Sequence, residues 1–225
     1  MRIRDAWPLL VALGLIAVAS AIAEMASAQP AELPARVVTL GGRAEVWKKG
    51  TPAWADAALR DDVGEGDGVR TLAGRLTLRT TSGQTVRLGP RTQVFLAPSD
   101  QSAEGPTRLR MDGGRLWLSA LPNQPPMARM ELQAGPVTVI GRDGGASVAM
   151  NPDGSVLVGV SHGAFRCLGT GWQRSLVQGQ QLTVTAAGAP LEVAKLKRDK
   201  ADADWIKWNE QQDLAGGYSA PRAER

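Results

Sequence analysis

Short runs of alternating apolar and polar residues, separated at close intervals by Gly, Pro or Asp, fill the stretch from Gly41 to Ala97. One such run, from Arg75 to Arg79, alternates leucine with arginine and threonine. Successive side chains of an extended strand point to opposite faces, so this pattern places one face of each strand on a core and the other toward water. It predicts an all-β fold of many short antiparallel strands, either a β-sandwich or an irregular β-solenoid, with a barrel also open.

Glycine-rich signals divide the strand pattern into segments. Tight turns are predicted at Gly41-Gly42, Ser82-Gly83, Gly89-Pro90, Asp112-Gly113-Gly114 and Pro152-Asp153-Gly154. Further strands are predicted at Arg108–Met111, Arg115–Ser119, Met130–Gln133, Val137–Ile140, Ser147–Met150, Val156–Val160, Ala164–Leu168 and Gln181–Thr185. The segment at 123–126, Asn-Gln-Pro-Pro, breaks the middle of the domain and is expected to carry a crossover or a hinge.

Residues 1–28 have the composition of an export signal. Two arginines precede an apolar stretch from Trp7 to Ala23, and Ala26-Ser27-Ala28 fits a signal-peptidase cleavage site. Pro8 interrupts the apolar stretch, which is short for a membrane span of about 20 residues. We therefore expect a cleaved signal, a periplasmic or secreted protein, and no stable membrane span after cleavage. An uncleaved N-terminal anchor is the alternative.

The rest of the chain is long enough for one domain with a substantial core. We expect a lead-in at 29–35, a β domain at 36–190, and a C-terminal helix with a flexible tail at 191–225. Helical spacing is confined to this last segment, where Asp202 or Asp204 precedes Trp205 and Trp208. We expect the helix to pack over an open sheet edge.

Catalytic and metal chemistry find little support in the sequence. The chain has one cysteine and one histidine, which excludes an internal disulfide and a zinc site built on several cysteines. Cys167 lies five positions after His162, an odd offset that points the two side chains to opposite faces of a strand and disfavours a Cys–His hydrolase or transpeptidase. We expect Cys167 in the core, His162 at the edge of a turn, and no enzyme activity, cofactor or metal.

Several motifs together resemble the FecR protein family, meaning its periplasmic β-domain. The resemblance runs from Ala44 to Gly163 and includes Gly-Thr-Pro-Ala-Trp at 50–54, Glu-Gly-Asp-Gly-Val-Arg-Thr at 65–71 and Gly-Gln-Thr-Val-Arg-Leu-Gly at 83–89. It implies an exported β-domain that acts through protein contacts. The family's regulatory members carry a cytoplasmic anti-sigma segment and a transmembrane helix ahead of this domain. Because residues 1–28 look like a signal instead, we expect a stand-alone exported protein without direct sigma-factor contact.

Tryptophans and a set of acidic residues supply the candidate binding surface. Trp47 and Trp117 are expected to be buried, whereas Trp54 lies in a loop. The acidic residues that follow Trp54 lack the regular spacing of a calcium loop, and turn chemistry explains them better. The candidate partner-binding residues are Trp54, Asp61, Glu65, Asp67, Arg70 and Arg142.

Several arginines fall at outward strand positions, and Asp100, Glu104 and Asp112 lie near them in sequence, which favours a solvated face of mixed charge over a purely basic one. The arginines are Arg70, Arg75, Arg79, Arg87, Arg91, Arg108, Arg110 and Arg115. The net charge of +4 is too modest to favour nucleic acid in an exported chain. We expect a non-catalytic interaction module in envelope signalling or scaffolding, bound to an envelope protein. The alternative is a protein that binds an envelope polysaccharide, peptidoglycan or lipopolysaccharide, and the oligomeric state is left open.

Overall fold

The computed structural model describes residues 35–98, 106–120, 129–197 and 200–216. The signal at 1–28 and the Asn-Gln-Pro-Pro segment at 123–126 lie outside them. Within these ranges no helix has both the length and the apolar character that crossing a bilayer requires. The elements are β1 (Ala35–Trp47), β2 (Trp54–Asp56), β3 (Asp62–Val63), β4 (Gly68–Thr80), β5 (Thr85–Leu88), β6 (Gln93–Leu96), β7 (Thr107–Ala120), β8 (Met130–Ala134), β9 (Val137–Met150), β10 (Val156–Gly169), β11 (Trp172–Val177), β12 (Gln180–Val184), β13 (Ala194–Lys195) and α1 (Lys200–Ala215).

All thirteen described strands belong to one hydrogen-bonded sheet, which confirms the all-β fold. The main path runs β13-β12-β10-β9-β8-β7-β5-β4-β1-β2, and β3, β6 and β11 pair beside it. Among these strands β7 and β8 form a parallel pair, whereas the other pairs are antiparallel as expected. The tight turns at Ser82-Gly83 and Pro152-Asp153-Gly154 are confirmed, because each joins two adjacent antiparallel strands.

Five strands are longer than the sequence predicted, because they bend at glycines instead of ending there. Gly42 of β1 lies opposite Gly74 of β4, and Gly144 of β9 lies opposite Gly163 of β10. Each of these glycines, and Gly114 of β7, has a positive φ. Glycine adopts such angles without the steric cost that other residues carry, so the strand turns sharply while its ladder continues.

The predicted turns at Gly41-Gly42 and Asp112-Gly113-Gly114 are therefore wrong. β1 and β7 run through both sites. Glycine runs are typical of hairpin turns and of bends alike, and only the pairing partners distinguish the two. Strands predicted separately, such as Val137–Ile140 and Ser147–Met150, are the two halves of one bent strand, β9.

The halves on either side of the bends form two layers. Layer A contains 35–40 of β1, 75–80 of β4, β5, 115–120 of β7, 145–150 of β9, 156–162 of β10, β12 and β13. Layer B contains β2, 44–47 of β1, 68–71 of β4, β6, 107–111 of β7, β8, 137–141 of β9, 165–169 of β10 and β11.

Inward side chains from both layers belong to one hydrophobic core, so the layers pack face to face as a β-sandwich. Leu76 and Leu116 of layer A and Val94 and Leu132 of layer B are all fully buried in it. Burial of a Leu or Val side chain stabilises a fold by about 1.5–3 kcal/mol. This core is the main source of stability, as expected for a chain without a disulfide.

The C-terminal helix is confirmed, but its predicted position over a sheet edge is wrong. α1 lies on the outer face of layer A, where Trp205 and Ile206 pack against Trp117. Trp117 is an outward residue of β7, a central strand. Sequence spacing shows that a helix has an apolar side but not which part of the sheet receives it.

Candidate functional site

The outer face of layer B carries the most distinctive set of accessible side chains. A single row of cross-strand register partners runs across it: Trp54, Trp47, Gly68, Phe95, Arg110, Gln133, Thr138, Leu168 and Gln173. Side chains in neighbouring register positions on one face of a sheet contact each other directly. The row thus sets three aromatic rings side by side at one end of the layer.

Gly68 allows the rings to close over the row. A Cβ atom at this position would lie 2.6 Å from Cε1 of Phe95 and 3.0 Å from Cη2 of Trp54. Phe95 therefore meets Trp54 edge-to-face with ring centroids 6.1 Å apart, and meets Trp47 in the same way at 6.1 Å. Edge-to-face pairs at this distance are favourable beyond the area that they bury.

Two arginines complete what we call the aromatic–arginine face, which consists of Trp47, Trp54, Arg70, Phe95 and Arg110. The guanidinium carbon of Arg70 lies 4.4 Å from the centre of the Trp54 ring, and that of Arg110 lies 4.7 Å from the centre of Phe95. Such cation–π contacts attract the guanidinium to the face of the ring. The aromatic residues are half-buried and the Arg110 side chain is 53% exposed.

Ion pairs fix both arginines further. Arg70 Nε donates to Oε2 of Glu45 at 2.6 Å, and Arg110 Nε donates to Oδ1 of Asp112 at 3.0 Å. The Glu45 side chain is only 12% exposed. Arginine held by both a ring and a carboxylate has lost much of its conformational freedom before any partner arrives, which favours binding.

The predicted acidic residues organise the loop beside this face. Asp67 is buried, and its carboxylate accepts hydrogen bonds of 2.8 Å from Lys48 Nζ, Lys49 N and Gly64 N. Burial alone raises the pKa of the Asp67 carboxyl, but the hydrogen bonds from Lys48, Lys49 and Gly64 outweigh it, so the pKa lies below its ordinary value. Asp67 is thus a structural anchor of the loop.

The other predicted residues fall in different surroundings. Asp61 accepts a hydrogen bond of 2.7 Å from Ala58 N within its own turn, as turn chemistry predicts. Glu65 is exposed in the same loop region. Arg142 is exposed on β9, next to the bend at Gly144, and lies several strands from Trp54. The structure therefore brings Trp54, Arg70 and the Asp67 loop together but leaves Arg142 apart.

The arginines of the sequence pattern do not share one face. Arg70, Arg108 and Arg110 lie outward on layer B, whereas Arg87 and Arg115 lie under α1 on layer A. Arg87 is buried. The expected mixed face is split between the two layers because the strands bend and carry successive arginines to opposite sides of the sandwich.

A buried polar group joins α1 to layer A. We call Asp213, Arg87, Trp117, Ser119 and His162 the Asp213 cluster. Burial raises the pKa of the Asp213 carboxyl, but hydrogen bonding from His162 and the charge of Arg87, with the Ser119 hydrogen bond, lower it below its ordinary value overall.

The Asp213 cluster does not have the connections of a catalytic triad. Ser119 Oγ donates to Asp213 Oδ1 at 2.7 Å, so the serine bonds to the carboxylate and not to the histidine. A nucleophilic serine needs a base within hydrogen-bond reach of its own oxygen. His162 is buried on β10, so its expected position at a turn edge is wrong; its strand continues through the bend at Gly163.

Cys167 lies in the core, as the sequence predicted. It is fully buried, and burial raises the pKa of its thiol to about 12. A thiol in such surroundings is a poor nucleophile because the reactive thiolate is not formed. Within the described ranges, no three His, Cys, Asp or Glu side chains come together in a group that could hold a metal ion.

Sequence reasoning missed two members of the aromatic–arginine face. Trp47 was expected to be buried but is half-buried at the outer surface, while Trp117 is buried as expected. Phe95 was not singled out. The sequence does indicate its position. Val94 and Leu96 face the core, and because side chains alternate along a strand, Phe95 between them faces outward.

Comparison with solved structures shows a shared fold. Two crystal structures of candidate anti-sigma factors from Parabacteroides distasonis ATCC 8503 are similar to this chain. The first has a TM-score of 0.52 and 15% identity, over 62% of this chain and 64% of that chain. The second has a TM-score of 0.51 and 16% identity, over 67% of this chain and 74% of that chain. This chain thus spans less than two thirds of the first structure's length, and no family model or curated protein matches its sequence.

Proposed function

We propose that this chain is a non-catalytic, FecR-like interaction module, exported to the periplasm or secreted, that acts in envelope signalling by binding a protein partner through the aromatic–arginine face. Its fold, shared with candidate anti-sigma factors, supports a regulatory role. The motifs from Ala44 to Gly163 support the FecR assignment, and the signal-like residues 1–28 support export.

The guanidinium–ring stacks on an accessible sheet face are the observation that carries the proposal. Trp, Phe and Arg are enriched in protein interfaces, and Trp and Arg dominate the residues that contribute most binding energy. Here Trp54, Phe95, Arg70 and Arg110 contact one another in the free protein. A partner would meet a surface that is already ordered, and binding would cost little side-chain entropy.

The same stacks favour a protein partner over a polysaccharide. A sugar ring binds tryptophan by lying flat on an open ring face, but Arg70 already occupies one face of Trp54. The Arg110 side chain pairs with Asp112 but is 53% exposed, so its guanidinium is accessible to the carbonyl or carboxylate groups of a protein. Binding to peptidoglycan or lipopolysaccharide is the second candidate, and its support is the presence of Trp47 and Trp54 at the surface.

The burial of the potentially reactive Cys167 and Ser119 side chains supports a non-catalytic role. Cys167 is enclosed in the core, and Ser119 is 1% exposed beneath α1. Neither group is accessible to a substrate in this arrangement. The Asp213 cluster is better explained as an attachment between helix and sheet.

Site-specific photo-crosslinking tests the proposal. A photoreactive residue replaces Gln93, the register partner of Arg70 on the aromatic–arginine face, in the full chain expressed in its own cells. We expect a discrete crosslinked protein that disappears with Trp54→Ala or Arg110→Ala. Arg174→Ala, at an exposed position on β11, is the matched control and should leave the crosslink intact.

Two results would count against this proposal. Absence of a crosslink from Gln93, or a crosslink that Trp54→Ala leaves unchanged, removes the aromatic–arginine face as the docking surface. A crosslinked product whose added mass is removed by a glycan hydrolase would show a polysaccharide in place of the protein partner.

A further inference from the structure

The sheet beneath α1 surrounds one carboxylate with polar side chains, three of which donate hydrogen bonds to it. Arg87 Nη1 donates to Asp213 Oδ1 at 2.6 Å, and Ser119 Oγ donates to the same oxygen at 2.7 Å. Trp117 Nε1 donates to Oδ2 at 2.9 Å, and His162 Nε2 lies 3.3 Å from it. These four groups stand on β5, β7 and β10, so the sheet backbone positions them without help from the helix.

The β-sandwich has a core that does not depend on α1. The main hydrophobic core consists of described residues from 35 to 184 and includes none from the helix. Trp205 and Ile206 of α1 belong to a separate small cluster with Trp117. Stability in such a molecule divides between regions, and an element outside the main core opens without unfolding the rest.

The attachment of α1 combines a small apolar cluster, in which Trp208 is partly buried, with buried polar groups. Its buried residues are Trp205, Ile206, Asn209 and Asp213, and its remaining large aliphatic residue, Leu214, is 55% exposed. Trp205 Nε1 and Asn209 Oδ1 are buried without a hydrogen-bond partner among the described residues. Most helices in proteins are stabilised by a broad apolar stripe, and α1 presents a narrow one.

Contacts near the start of α1 are more accessible than the Asp213 cluster. Arg115 Nη1 pairs with Asp202 Oδ1 at 2.5 Å, with side chains 32% and 26% exposed. The guanidinium carbon of Arg75 lies 4.6 Å from the centre of the Trp208 ring. Exposed ion pairs contribute little to stability, so the buried carboxylate of Asp213 is the dominant polar attachment.

We propose that this sheet face is a carboxylate-binding, helix-docking site whose occupant is the chain's own α1, and that α1 leaves and re-enters as a unit while the β-sandwich stays folded. The ligand class is a helix that carries a carboxylate two turns after a tryptophan, as Trp205 and Asp213 do. The site is separate from the aromatic–arginine face and does not rest on its proposed function.

Removal of the Asp213 charge should release α1. With the helix docked, an asparagine at this position leaves the Arg87 guanidinium buried without its counter-charge, which is unfavourable. Undocking returns Arg87 to water and removes that cost. The sheet keeps its hydrogen-bond ladder in both states, so the change is confined to α1.

Hydrogen exchange on the full chain tests this with Asp213→Asn. We expect the α1 amides to exchange at least about tenfold faster than in the natural chain, which corresponds to about 1.4 kcal/mol. Amides of β7 and β9 should keep their protection. Asp204→Asn, an exposed acidic residue on the same helix, is the control and should leave α1 unchanged. Unchanged α1 exchange in Asp213→Asn, or equal loss of protection in α1 and the strands, would overturn the proposal.

A second measurement tests the site as a receptor. A labelled peptide of residues 200–216 is titrated onto the full-length Asp213→Asn chain, whose own helix no longer holds the site. We expect binding at least about tenfold tighter than that of the same peptide carrying Asp213→Asn, because only the first supplies the carboxylate. The natural chain should bind the peptide more weakly, since its own α1 occupies the site. Equal affinities of the two peptides would contradict the proposal.

Discussion

The Arg70 guanidinium contacts both the Trp54 ring and the buried carboxylate of Glu45. It lies 4.4 Å from the centre of the Trp54 ring while its Nε donates to Glu45 Oε2 at 2.6 Å. This arrangement connects β1, β2 and β4 at the end of layer B and orders the aromatic–arginine face before any partner binds. Its parts can be tested one at a time.

Arg70→Ala should lower the free energy of unfolding by about 1–3 kcal/mol, because it removes the cation–π contact and takes the main counter-charge from Glu45. Chemical denaturation measures the change. Arg166→Ala, at an exposed position on the same layer, should change stability by less than about 0.5 kcal/mol. Equal effects of the two substitutions would show that the contacts of Arg70 with Trp54 and Glu45 contribute nothing to the free energy of unfolding.

Gly74→Ala should destabilise the protein by more than about 2 kcal/mol, because alanine is strained at a positive φ. Gly74 has a φ of 97°, and its added Cβ would collide with the carbonyl oxygen of Gly41. Gly113→Ala is the matched control, since a Cβ there meets open space. Thermal unfolding compares the two variants. Equal destabilisation by Gly113→Ala and Gly74→Ala would show that the positive φ at the bend of Gly42 and Gly74 is not the cause of the lost stability.

Asp67→Asn should lower stability at neutral pH by about 1–3 kcal/mol, because it removes the charge that Lys48 and two backbone amides neutralise. The folded-state pKa of Asp67 lies below its ordinary value of 3.8. The ionised carboxyl therefore stabilises the fold above the unfolded pKa, and this contribution is lost as pH falls through the folded pKa.

The difference between Asp67→Asn and the natural chain should thus shrink below about pH 4, as urea denaturation at several pH values would show. Asp56→Asn provides the comparison, because its side chain is 81% exposed. A difference that stays constant down to pH 2 would mean that the charge of Asp67 is not what stabilises the loop.

Cys167 should resist alkylation in the native protein at pH 8. Burial raises the pKa of its thiol to about 12, so almost no thiolate forms, and the core excludes the reagent. Mass spectrometry after treatment with iodoacetamide should show modification only when denaturant is added. Rapid modification of the folded protein would reopen a nucleophilic role for this residue.

Local patterns in the sequence were sufficient for most strand faces, though not for that of Trp47, and for the existence of the helix, though not for its position on the sheet. The alternation around Leu76 and Leu78 assigned the core correctly, and the turn at Pro152-Asp153-Gly154 was found because its residues act locally. The lone Cys167 was placed in the core because a free cysteine behaves as a small apolar residue, and it is buried there.

Features that depend on distant partners were not found. Gly42 bends β1 only because Gly74 lies opposite, and the sequence carries no sign of that pairing. Arg87 and Asp213 are 126 residues apart and meet only after the sandwich has formed. The aromatic–arginine face was predicted in part. Trp54 and Arg70 came from motifs, but the sheet register adds Trp47, Phe95 and Arg110.

The affinity of the crosslinked partner for variants of the aromatic–arginine face is the most direct test of the proposed function. Once the partner is purified, Trp54→Ala should weaken its binding by about 30-fold or more, equivalent to about 2 kcal/mol, as expected for a tryptophan at the centre of an interface. Arg174→Ala, on the distant β11, should leave the affinity unchanged. Equal affinities of Trp54→Ala and the natural chain, both folded by circular dichroism, would contradict the aromatic–arginine face as the docking surface.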